Sequence, residues 1–149
     1  KAVGHCHMSQ NDSENVFILD KGFEAPMIGY TTIGTNDLDR SIAFYDALME
    51  IVGIKRLWAH GNMAAWGKSR NDPAFCVASP FDGEAATVGN GNMIALKMPD
   101  RDAVDRLHAK ALELGGTDEG AVGPRGDHGF YGGYFRDLDG NKLNAYVPG

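Results

Sequence analysis

The chain has 149 residues, enough for one ordinary domain or for two half-size modules sharing a core. Hydrophobic residues make up 43% and charged residues 23%, a globular composition; no apolar run could cross a bilayer, and none reads as a signal peptide. The formal net charge of -6 repels phosphate backbones, so no nucleic-acid partner is expected, and only Cys6 and Cys76 are present, which suits reduced thiols in the cytoplasm rather than a disulfide framework.

Residues 1–26 read as a leader, either vector-derived or accessory. They are polar and irregular at first, and Met27 resembles a second start just before the regular pattern. His5, Cys6 and His7 have metal-binding chemistry but lack a fourth spaced ligand, and Val16, Phe17, Ile18 and Leu19 are apolar enough to dock. Residues 28–34 are β-branched and aromatic and predict a strand. Asn36 or Asp37 then caps a helix whose apolar stripe runs through Leu38, Ile42, Tyr45, Leu48, Met49 and Val52, and Gly53 ends it. Strand patterns follow at 54–60, 62–66 and 74–79.

Residues 81–91 are rich in Gly, Asp and small side chains and predict a linker between a first module at 27–80 and a second at 92–149. In the second module, 93–98 reads as a strand, and Pro99 and Asp100 open a helix striped by Val104, Leu107, Ala111 and Leu114. A short strand at 117–122, a loop at 123–129 and strands at 130–136 and 142–147 complete it. The order strand, helix, three strands thus occurs twice, its two starts about 65 residues apart. Each unit can bury only one face, so the two pair up. The predicted fold is α+β, two βαβββ modules with sheets curved around a cleft; a ferredoxin-like domain is the alternative.

Three segments resemble the vicinal oxygen chelate superfamily, which includes glyoxalases, bleomycin-resistance proteins and dioxygenases. They are I-G-Y-T-T-I-G-T-N-D-L-D-R-S-I-A-F-Y-D-A-L from Ile28, G-N-G-N-M-I-A-L-K from Gly89 and Y-F-R-D-L-D-G-N-K-L-N-A-Y from Tyr134. The resemblance implies paired βαβββ modules, commonly in a dimer. It also implies metal ligands, usually His, Gln or Glu, on the first, fourth, fifth and eighth strands. Those positions fall on Tyr30, somewhere in 75–79, Met93 and Asn144. A phenol, a thioether and a neutral amide are poor partners for a divalent cation, so neither a metal nor another cofactor is expected.

Tyr30 and Thr32 share one face of their strand by period-two alternation and would line the cleft, whereas Tyr131 and Tyr134 fall on opposite faces. Trp58, Trp66 and Phe75 serve as cleft walls or as core. The expected ligand-binding residues are Tyr30, Thr32, Trp58, Phe75, Met93, Tyr131, Tyr134 and Asn144. His128, in a Gly-rich loop entering an aromatic strand, is the candidate acid or base, while His60 and His108 read as solvated or partly buried surface residues. The resulting expectation is a cytoplasmic, homodimeric, metal-free protein that binds a small organic ligand. The alternative is a glyoxalase-like lyase, isomerase or dioxygenase.

Overall fold

A computed structural model describes residues 26–149; the leader motifs at His5, Cys6, His7 and Val16 to Leu19 lie outside them. Strand β1 (Tyr30–Gly34) leads into helix α1 (Leu38–Glu50), followed by β2 (Lys55–His60), β3 (Met63–Gly67) and β4 (Ala74–Ala78). The series restarts with β5 (Ile94–Lys97), α2 (Arg101–Glu113), β6 (Thr117–Pro124), β7 (Tyr131–Arg136) and β8 (Lys142–Val147). No helix of the described residues is long and apolar enough to cross a membrane.

The two series build matching four-stranded sheets, ordered β1-β4-β3-β2 and β5-β8-β7-β6. In each, the first strand runs parallel to the last and the remaining pairs are antiparallel. The two-module α+β reading therefore holds, and the ferredoxin-like alternative, a single sheet, does not.

Of the two cap candidates, Asp37 starts α1: its carboxylate accepts the Arg40 N–H at 3.0 Å. Asn36 instead exchanges two hydrogen bonds with the backbone of Ala86 in the linker. The helix stops short of the predicted Val52, with the Gly53 N–H bonding back to Glu50 and Gly53 in the left-handed region at φ 71°. Asp100 caps α2 through the Ala103 N–H at 2.8 Å.

Helix α1 packs on β2, β3 and β4, α2 packs on β6, β7 and β8, and the helices touch each other. One continuous core results. Phe44, Tyr45, Leu48 and Met49 from α1 join Trp66, Phe75 and Val77 beneath it, and Val104, Leu107, Phe135 and Leu143 continue it through the second module. Burying each large side chain is worth about 1.5–3 kcal/mol. Each sheet thus has a helix-covered side and, by alternation along its strands, an open face.

A polar clasp also joins the modules. In the turn between β7 and β8, Asp137 accepts the Tyr45 hydroxyl at 2.7 Å, and Asn141 donates its amide to the Gly34 carbonyl at 2.9 Å. Asp139 accepts the Thr35 and Ser41 hydroxyls at 2.6 and 3.1 Å and the Asn36 N–H at 2.9 Å.

Strand β6 departs most from expectation. It runs two residues further, to Pro124, where a loop was expected from Gly123. Its register against β7 shifts between Asp118 and Gly120 and again between Gly120 and Gly123. Such irregularities break the alternation by which a strand is recognised.

Candidate ligand-binding site

The open face of the first sheet is read across the strands. Thr32 lies beside Cys76, Cys76 beside Ala65, and Ala65 beside Trp58. Tyr30 lies beside Ala74 in the neighbouring row. A register shift between Arg56 and Trp58 lets both Leu57 and Trp58 border the recess on this face. That recess holds about 440 Å³, with Tyr30 and Trp58 among its walls, Ala74 and Cys76 on its floor, and Arg70 and Asp72 on the adjoining loop. Tyr30 and Thr32 are exposed, while Cys76 is buried, and burial pushes its thiol up.

The second sheet repeats the arrangement. Ala95 lies beside Asn144, Asn144 beside Tyr134, and Tyr134 beside Gly120. Asn144 is 2% exposed, and its side-chain Oδ1 has no hydrogen-bond partner among the described residues. A Cβ on Gly132 would stand 2.9 Å from that oxygen and 3.0 Å from the Phe130 ring, so glycine is needed there. Phe130 in turn stacks on Tyr146, the ring centroids 5.3 Å apart and the planes 11° from parallel. Around Tyr134 the face is cationic: Arg125 and Lys142 stand 5.6 and 5.5 Å from its ring centroid. Arg136 pairs with Glu119 at 2.7 Å, and this partner holds the Glu119 carboxyl below its ordinary range.

The structure brings Tyr30, Thr32 and Trp58 to one open face and Tyr134 and Asn144 to the other. Phe75 and Tyr131 lie on the helix side instead. Phe75 packs against Tyr45 with ring centroids 4.8 Å apart, and the Tyr131 hydroxyl donates to Asp105 of α2 at 2.7 Å, with Arg101 over its ring. Tyr131 and Tyr134 thus take opposite faces. Met93 sits just before β5 rather than on it, 42% exposed, lining a gap it shares with Thr32 between the two modules. His128 is exposed on the β6–β7 loop, while His60 ends β2, also exposed. His108 is buried, its Nε2 3.1 Å from both Asp118 Oδ1 and the Tyr134 carbonyl. Both partners are acceptors, so Nε2 carries a proton. Sequence reasoning missed Leu57, Phe130 and the cations around Tyr134. The bulge that turns Leu57 inward leaves no residue-level signal, but Phe130, directly before the Tyr-Gly-Gly-Tyr run, was there to be read.

The family model for the glyoxalase/bleomycin resistance protein/dioxygenase superfamily matches residues 27–145. The chain belongs to this superfamily. Among solved structures, it resembles a glyoxalase/bleomycin resistance protein from Albidiferax ferrireducens T118 at 32% identity and a TM-score of 0.76, covering 83% of this chain and all of that one. It also resembles a glyoxalase-related enzyme from Fulvimarina pelagi, at 19% identity, 80% and 86% coverage and a TM-score of 0.64. A third is the lactoylglutathione lyase of Agrobacterium tumefaciens, at 21% identity, 82% and 94% coverage and a TM-score of 0.59. The last two likenesses concern the fold alone. No curated protein matches the chain.

Within 75–79 the open side is faced by Cys76, beside Thr32, and Ala78, beside Gly34, and of these only Cys76 carries a donor atom. The superfamily's metal would therefore meet a phenol, a buried thiol, a thioether and an amide from Tyr30, Cys76, Met93 and Asn144. Burial disfavours the thiolate that a metal would require of Cys76. Among the described residues no three His, Cys, Asp or Glu side chains converge to hold an ion. This donor set does not fit a hard divalent cation.

Proposed function

We propose that this superfamily member is a metal-free binding protein that takes a small organic ligand on the aromatic open faces of its sheets. The observation that carries this reading is the recess walled by Tyr30 and Trp58 over an apolar strand floor of Ala74 and Cys76, with Arg70 and Asp72 as the charged groups at its edge. Recesses of about 300–1,000 Å³ lined mainly by apolar groups, with a few polar ones, are the usual form of a small-ligand site. Tyr30 supplies a polar contact at the surface, and the buried Asn144 oxygen gains a donor from the ligand once the side chains over it move aside. Although the chain is acidic overall, the cations around Tyr134 favour a neutral or anionic aromatic over a cation.

The working form in this reading is a cytoplasmic homodimer of chains with modules at 27–80 and 92–149. Exposed Tyr30, Trp58 and Met93 then gain cover from ligand or partner.

The test joins metal analysis of the purified protein, without the leader, to a thermal-shift screen of neutral and anionic aromatics. The expected result is a metal content far below one per chain, together with a stabilising ligand whose effect Trp58→Ala removes. A ligand at 100 times its Kd stabilises by about 2.7 kcal/mol. Stoichiometric metal would refute the reading. Turnover of that ligand, lost in His128→Ala with binding retained, would replace it with the glyoxalase-like enzyme alternative.

A further inference from the structure

A cavity of about 700 Å³ opens at the seam between the modules, on the side of the helices rather than on an open face. Met49, Trp66 and Phe75 from the first module and Leu96 and Met98 from the second line it. All five belong to or pack against the common core. We infer that this seam cavity binds a small apolar carboxylate, an alkyl or aryl body ending in one anionic group.

The cavity is open to solvent, so its apolar walls keep surface in contact with water that a bound apolar body would cover. Its volume matches that of sites for small organic ligands. Methionine is unbranched and polarisable, and a pair of them gives the walls room to adapt to a flexible tail.

Charge selects the head group. Lys68 and Lys97 line the cavity and are exposed, and neither takes part in the ion pairs of the described residues. The lone carboxylate of the lining, Asp72, accepts the Ser69 hydroxyl at 2.6 Å. An apolar interior with surplus positive charge at its solvent side complements an amphipathic anion and disfavours a cation. The site shares no strand face with the recess over Tyr30 and Trp58 and meets it only at Asp72, on the loop between β3 and β4, so its test does not rest on the open-face reading.

The chain contains two tryptophans, and Trp58→Phe leaves Trp66, in the cavity wall, as the sole indole. Decanoate is titrated into that variant and the indole emission followed, with decan-1-ol and decyltrimethylammonium as comparators. The expected result is a saturable change with decanoate and binding at least about tenfold weaker for both comparators. The exposed pair Lys68→Glu and Lys97→Glu is expected to weaken decanoate by about tenfold or more. The control pair Lys110→Glu and Arg125→Glu, neither of which borders the cavity and which changes net charge equally, is expected to shift it by less than about twofold. The inference is overturned by an unmoved Trp66 emission, by decan-1-ol binding as well as decanoate, or by equal losses in the two charge-reversed pairs.

Discussion

Asn144 is the residue where stability and function pull apart. A buried acceptor without a partner costs about 1–3 kcal/mol, whereas an apolar side chain of similar shape carries no such penalty. Asn144→Leu is therefore expected to raise the chain's stability by about 1 kcal/mol in denaturant melts while weakening the open-face ligand. A loss of stability instead would show that the amide has a partner worth more than the packing it displaces. Cys76 makes a second point at this scale. Burial raises its thiol, so at neutral pH it is held protonated and shielded. In a Cys6→Ser background, its reaction with a thiol reagent is expected to be at least about tenfold slower in the native chain than in the denatured one. Equal rates would mean that the recess floor is open to solvent.

The turn between β7 and β8 acts as an element in its own right. In sequence, Asp137 to Asn141 reads as the turn of the hairpin motif that begins at Tyr134. Folded, Asp137 accepts the backbone N–H groups of Asp139 and Asn141 together with the Tyr45 hydroxyl, and so couples the turn to α1. Asp137→Ala strands these donors and is expected to cost about 3 kcal/mol or more in a thermal or urea melt. Tyr45 adds a pH signature. Burial first, and then the neighbouring Asp137 charge, push its phenol well above its ordinary value. A folded-state value above the unfolded one contributes stability that is complete below the unfolded pKa. That contribution is lost as pH rises past about 10. Stability of the native chain is expected to fall over that alkaline range, and Tyr45→Phe to flatten the fall; an unchanged slope in the variant would remove Tyr45 as the cause.

At the scale of the molecule, the modules repeat in architecture but are not independent. Leu48 and Met49 of α1 and Leu107 and Ala111 of α2 belong to one core cluster, and the Asp139 clasp crosses the same boundary. Residues 27–80 and 92–149 expressed separately are expected to stay unfolded or to aggregate by circular dichroism and light scattering, since each exposes half of that core. Two separately cooperative melts would contradict this.

The sequence by itself determined the element order, the internal repeat, both helix stripes and the superfamily, because these rest on local periodicity, capping residues and short motifs. Every strand end agrees within two residues. The alternation also sorted Tyr131 from Tyr134 correctly, but it could not say which of the two faces the helix. Only the tertiary structure decided that. Tyr131 and Phe75 were expected among the ligand-binding residues, and both lie under helices because the phase of a strand relative to its covering helix is set by packing across the sheet. The same packing brought Thr35 and Asp139 together from opposite ends of the chain and left the Asn144 oxygen alone. Contacts between residues so far apart in sequence depend on how two sheets and two helices close on one another, a geometry that no local pattern encodes.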